Sequence, residues 1–354
     1  MIETRPLLLT DDDLLRAEVI RLAAAAGVVP QVAREAGAAL ASWAAASVVL
    51  VGADRAAPMA AMRPPRRAGV HVLGARPLGD EVFRDALACG AETVAELPAS
   101  ETWLVELLTD SADGRGGTGQ VVGVVGGCGG AGATSFGAAL AEACARHAPT
   151  LLVDADLQGP GVDRVLGLES APGIRWDALV QVTGRLSARS LRGSVPSRGR
   201  LGVLSWPADR PRGLPLFAVR EVLSAAVRAY DVVVVDVARH PDPVGDEILA
   251  RCDHVVLVST LTVAAVAAAG RTAARIPQAA RRHLVTRGNA AGVAPEEVGR
   301  VLGMPLLAAM RDQRGLDEAV DLGAGPSRSA RGPLVRAARS AGAVLLGDTQ
   351  ESAA

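Results

Sequence analysis

Short aliphatic runs alternate with alanine-rich stretches along the whole chain, and this alternation limits the fold more than any other feature. Early on the runs are "RPLLLT", "GVVPQVA", "SVVLVG", "GVHVLG" and "AETVAEL". Later they are "QVVGVVG", "PTLLVDAD", "LGVLSWP", "DVVVVDVA", "DHVVLVST" and "RRHLVTR". A continuous apolar run bounded by turn residues suits a strand buried on both faces, as in a parallel sheet covered by helices. Between the runs, spacings such as Leu15, Val19, Leu22, Ala23 and Ala26 read as helix. The expected class is therefore α/β. Aromatic residues make up only 2% of the chain, so alanine, valine and leucine must fill the cores.

At 354 residues the chain exceeds one ordinary domain. Residues 110–119, "DSADGRGGTG", are small, polar and glycine-rich and read as a linker. The expected organisation is a domain over 1–109, the linker, a larger domain over 120–346, and a frayed tail over 347–354. No apolar run is long enough for a membrane span, and the N-terminus lacks the pattern of a secretory signal. Cys89, Cys128, Cys144 and Cys252 are scattered, without metal-site spacing, which fits a reduced, cytoplasmic setting. A net charge of −1 gives no general pull toward nucleic acid or anionic membrane. All 37 basic side chains are arginine, so no mechanism that needs a lysine of this chain is open to it.

The stretch "VVGVVGGCGGAGATSF" carries the sharpest chemistry. Gly127, four residues, then Gly132-Ala133-Thr134 match a phosphate-binding loop except for its lysine. A strand precedes it and a helix follows, as that motif requires. The glycines let successive N–H groups turn toward a phosphate, and the helix N-terminus adds partial positive charge. Thr134 places a hydroxyl where Mg²⁺ would sit. Asp154 and Asp156 close one strand and Asp236 closes another. Carboxylates at such ends hold Mg²⁺ or orient a water, although an aspartate there also serves as a turn former or cap. Cys128, near a helix N-terminus, is open to two readings: a redox-sensitive thiol or a small loop residue.

These motifs together resemble the MinD/ParA family of deviant Walker ATPases, over roughly residues 120–325. The family loop lines up with Cys128, Gly129, Gly130, Ala131, Gly132, Ala133, Thr134 and Ser135. The resemblance implies ATP and Mg²⁺ as cofactors and a P-loop NTPase-like fold. It implies that Asp156 orients the hydrolytic water and that Thr134, Asp154 and Asp236 lie at the metal. Thr286 takes the place of an asparagine that reads adenine. The departures are Cys128 and Ala133, both at lysine positions of the family. Losing two charge-assisted hydrogen bonds, each about 1.5–3 kcal/mol, would weaken nucleotide binding about 10²–10⁴-fold. Arg164 and Arg239 are the arginines singled out as compensating cations.

A branch of that family resembling CpaE/TadZ, and the related septum-site determining proteins, places a receiver-like (flavodoxin-like) domain first. Asp11, Asp12 and Asp13 fit a receiver's acidic pair, or else a cluster that caps a helix. No phosphoacceptor ends the third strand: Val51 and Gly52 do, with Asp54 late, and Leu97 replaces the basic residue before Pro98. The expectation is an unphosphorylatable receiver-like unit. What the resemblance implies is a localisation or scaffold factor for pilus or secretion assembly or for septum placement. It would bind ATP weakly, with protein partners and a homodimer. The alternatives are a slow Mg²⁺-dependent ATPase and a ParA-like DNA segregation factor. Nucleic acid and stable membrane contact are not expected, because the arginines are scattered and the last helix lacks aromatics.

Overall fold

In a computed structural model, residues 5–67, 69–112, 119–180, 186–207, 213–289 and 292–352 are described. The chain forms two compact units, Met1–Gly116 and Gly117–Ala354. Most of the expected linker, residues 113–118, lies outside the described residues.

The first unit runs β1 (Leu7–Leu9), α1 (Asp13–Ala25), β2 (Gln31–Ala33), α2 (Ala36–Trp43), β3 (Val49–Gly52), α3 (Ala53–Ala61), β4 (Val70–Gly74), α4 (Asp80–Cys89), β5 (Thr93–Glu96) and α5 (Glu101–Ala112). The strands pair in parallel in the order β2-β1-β3-β4-β5. This is the flavodoxin-like winding of receivers. Leu7 and Leu9 face one apolar layer with Trp43 and Met59, while Leu8 and Leu50 face the other with Val19 and Leu104. That two-sided burial is why these strands read as unbroken apolar runs.

The acidic cluster resolves in favour of capping. Asp12 is the N-cap of α1 and accepts from the Leu14 and Leu15 amides. Asp11 is paired with Arg34 at 3.2 Å and Arg55 at 2.9 Å. Asp54 turns back on the strand end, accepting from Thr10 Oγ1 and the Asp11 amide, both at 2.8 Å. A Cβ on Gly52 would lie 2.3 Å from Asp54 Oδ1, so this carboxylate fills the space a side chain at the strand end would need.

The second unit runs β6 (Gln120–Gly126), α6 (Ala133–Ala145), β7 (Thr150–Asp154), α7 (Val162–Val165), α8 (Trp176–Val180), α9 (Ala188–Ser194), β8 (Ser197–Arg198) and β9 (Leu201–Leu204). It continues with α10 (Leu216–Ala229), β10 (Val232–Val237), α11 (Pro243–Ala250), β11 (His254–Thr260), α12 (Val263–Ala273) and β12 (Arg281–Arg287). α13 (Pro295–Leu302), β13 (Leu306–Met310), α14 (Leu316–Asp321) and α15 (Pro333–Ser352) complete it. The sheet order is β13-β12-β11-β6-β10-β7-β9-β8, parallel except for the two-residue β8. Val233, Val235 and Leu257 face one core layer and Val234, Val256 and Val258 the other.

α15 runs on to Ser352, past residue 346, where the sequence pattern put the end of the domain. Its buried side, with Leu334, Ala337, Ala338, Ala341 and Leu345, joins the core layer formed by α6. Gly342 lets the two helices close up: a Cβ there would stand 3.4 Å from Cys144 Sγ.

Candidate functional site

β6 lies at the middle of its sheet, and the chain winds outward from it first toward β7, then later toward β11, β12 and β13. That reversal opens a crevice at the carboxyl end of β6, where open α/β sheets take ligands. The loop Gly127–Gly132 runs through it. Gly127 is fixed by packing. Its amide donates to Val258 O at 2.8 Å, and a Cβ would meet Ala269 Cβ at 2.8 Å. Gly130 and Gly132 take left-handed backbone, φ 69 and φ 86, which turns the chain into α6. A Cβ on Gly129 or Gly130 would touch nothing within 4 Å, so the mouth of the loop is open.

Among the described residues, the amides of Cys128, Gly129, Gly130 and Gly132 have no protein acceptor. The first amides of α6, at Ala133, Thr134 and Ser135, have no carbonyl one turn back to bond. Such a row of free amides at a helix N-terminus is an anion cradle. Ala131 is buried, and Ala133 packs its methyl on the adjoining core.

Asp236 closes β10 beneath the loop, 3% exposed, and its Oδ2 is buried without a partner. Burial, with the charges of Asp154 and Asp156, pushes its carboxyl up to about 8, partly offset by the nearby Thr134 hydroxyl. The structure places Thr134 and Asp236 next to one another.

Asp154 is not free for that task. Its Oδ2 accepts from the Val162 amide at 2.9 Å and Ser205 Oγ at 3.0 Å, and its Oδ1 accepts from the Asp156 amide at 3.1 Å. Its own carbonyl accepts from Trp176 Nε1 at 2.7 Å. Burial pushes this carboxyl up to about 6. These three hydrogen bonds make Asp154 a brace for the β7 turn, beside its expected place at the metal.

Asp156 follows on that braced turn. Its Oδ1 accepts from the Gln158 amide at 3.0 Å, and its side chain is half-buried. It lines a cleft of ≈ 530 Å³ between the ends of β7, β9 and β10, with Leu157, Trp206, Leu214 and Pro243. No residue of the glycine loop lines that cleft.

Thr286 is 1% exposed and its hydroxyl is buried without a partner, so the accessible group at the end of β12 is the next residue, Arg287. Arg287 Nε donates to Asp312 Oδ1 at 2.8 Å and Nη1 donates to Gly130 O at 3.2 Å. A Cβ on Gly132 would stand 2.8 Å from Nη1. Arg164 and Arg239, the arginines singled out in the sequence, make no hydrogen bond or ion pair with the loop among the described residues. Arg164 is exposed on α7, and Arg239 engages Arg275 through its carbonyl.

Cys128 is half-buried with Sγ 3.5 Å from Thr260 Oγ1. Cys89, Cys144 and Cys252 are buried, and burial pushes their thiols up to about 11, 12 and 12. Only the thiolate reacts with disulfide reagents. In the native protein, Ellman's reagent should modify one thiol quickly, and Cys128→Ser should remove that phase. An equally fast phase at Cys89 would contradict this burial.

The family described as Rv3660c-like, CheY-like N-terminal domain matches residues 9–119. Across 350 residues the chain is 38% identical to Rv3660c of Mycobacterium tuberculosis H37Rv, covering 96% of this chain and 97% of that protein. The chain belongs to the Rv3660c-like family. Solved structures similar to this Rv3660c-like chain correspond to its second unit in length. A ParA family ATPase from Chlorobium tepidum superposes with TM-score 0.54 at 17% identity, covering 64% of this chain and 98% of that one. MinD in the MinC:MinD cell division complex of Aquifex aeolicus superposes with TM-score 0.53 at 20% identity, covering 64% and 96%. Pyrococcus furiosus MinD gives TM-score 0.53 at 17% identity, covering 65% and 99%. The fold of the Rv3660c-like chain is therefore a CheY-like domain followed by a MinD/ParA-like P-loop fold, as the sequence motifs implied.

Proposed function

We propose that this Rv3660c-like protein is a localisation or scaffold factor of the CpaE/TadZ kind, serving pilus or secretion assembly or septum-site placement. It takes ATP with Mg²⁺ weakly through its lysine-free loop and turns it over little or not at all. The observation that carries this reading is the buried, partnerless Oδ2 of Asp236 beside the Thr134 hydroxyl, below a loop of free amides. An unpaired buried carboxylate is costly, and a divalent cation there offsets the cost. The residues present therefore fit the group. Thr134 and Asp236 would hold Mg²⁺, and the amides from Cys128 to Ser135 would face the phosphates. Bound there, the nucleotide would bring negative charge to meet the free amides. Ala133 supplies no cation, which favours binding over turnover, since phosphoryl transfer depends on positive charge at the moving group.

Partner proteins and a homodimer belong to this reading. The similarity to MinD in a complex with MinC supports the first. Among the described residues no helix is long and apolar enough to cross a membrane, and α15 turns Arg336 and Arg339 outward. Recruitment to a pole or septum would then go through partners.

The half-buried Asp156, held on a braced turn beside an open cleft, favours a second reading, a slow ATPase in which this carboxylate orients water. Calorimetric titration with ATP and Mg²⁺, followed by a phosphate-release assay, separates the two. Heat without release is the expected result. Release that disappears in Asp156→Ala would make the protein an enzyme, and no heat at millimolar ATP would end both readings.

A further inference from the structure

We infer that Arg287, from the far side of the crevice, supplies the cation that the glycine loop lacks. The inference rests on the nucleotide-binding reading above and assigns the residue that faces the anion. The guanidinium is already at the loop, bonded to Gly130 O at 3.2 Å. Its orientation is fixed from behind by Asp312 at 2.8 Å, so little side-chain freedom remains to be lost on binding. An arginine has five N–H donors. Nε–H goes to Asp312 and one Nη1–H goes to Gly130, which leaves the other Nη1–H and both on Nη2 without a protein acceptor among the described residues.

Two features of the loop make room for this group. Gly132 is needed for its positive φ, and a side chain there would also strike Nη1 at 2.8 Å. Gly130, whose carbonyl receives the guanidinium, has open space where its Cβ would be. With Ala133 short and apolar, no other side chain of the loop carries positive charge. A planar, bidentate donor beside a cradle of amides suits the terminal oxygens of a polyphosphate.

The test uses the full chain and calorimetric titration with ATP and Mg²⁺, and with inorganic triphosphate. Arg287→Gln should weaken both about 10- to 100-fold, the worth of a charge-assisted hydrogen bond. Adding Ala133→Lys to Arg287→Gln should restore binding to at least the wild-type level. Asp312→Asn keeps the cation but loses the carboxylate that orients it, so it should weaken both ligands by less than Arg287→Gln does. Equal binding by wild type and Arg287→Gln overturns the inference and leaves the nucleotide reading standing. Tighter binding by Arg287→Gln also overturns it, since the arginine would then be a plug. If Asp312→Asn loses as much as Arg287→Gln, Arg287 only braces the loop and the inference falls. No binding by wild type overturns both.

Discussion

Asp236→Asn is expected to give a metal-free protein that is harder to unfold and no longer gains stability from Mg²⁺. Asp236 has an ordinary carboxyl value of 3.8 and is pushed up to about 8 in the fold, first by burial and then by Asp154 and Asp156. Below about pH 4 the group is protonated both folded and unfolded, and burial costs no ionisation. Between about 4 and 8 the folded state keeps a proton that the unfolded chain has released, so stability falls as pH rises. The slope is about 1.4 kcal/mol per unit, or roughly 4 kcal/mol by pH 7. Asparagine has the same shape and no charge to bury, and recovers much of that. Asp154, pushed up to about 6, steepens the fall at lower pH in both proteins. The comparison therefore belongs between pH 6 and 8, by urea unfolding in EDTA. Wild type should lose stability across that window while the variant stays nearly level. With Mg²⁺ and ATP added, only wild type should move. A variant less stable than wild type at pH 7, or one with the same slope, would show that Asp236 is satisfied in some other way.

Asp154→Ala is expected to act in the opposite direction. The buried carboxylate collects the Asp156 amide, the Val162 amide and the Ser205 hydroxyl. Alanine leaves all three donors without an acceptor inside the protein. Each such loss costs about 1–3 kcal/mol, so a total of roughly 3–9 kcal/mol is expected. Denaturant unfolding with tryptophan fluorescence suits this test, because Trp176 bonds the Asp154 carbonyl and lies 6.0 Å from Trp206, ring to ring. Mg²⁺ should not rescue the variant. Unfolding indistinguishable from wild type would refute the bracing role.

Asp154 also shows where the sequence stops being legible. An aspartate closing an aliphatic strand reads alike whether it waits for a cation or ties down a turn. The difference lies in Ser205, 51 positions away, and in the amide of Val162. Local features were readable because local physics makes them. The valine runs of β10 and β11 are buried on both faces, and the glycines of the loop carry the turns their spacing implied. Asp12 as a cap belongs to the same class. The Arg287–Gly130 contact joins residues 157 positions apart and leaves no periodic trace. An arginine directly after the buried Thr286, at the mouth end of a strand, was the available signal. β8, two residues long, is too short for any pattern.

The placement of α15 bears on how this protein can be dissected. The helix that begins at the glycine loop rests its back on the last helix of the chain, through Leu334, Ala338, Ala341 and Leu345. Trimming the C-terminus to ask where the molecule goes in the cell would therefore uncover an aliphatic seam two steps from the crevice. A shortened protein that wandered or clumped would be reporting a damaged interior, and an address label would be the wrong lesson to take from it.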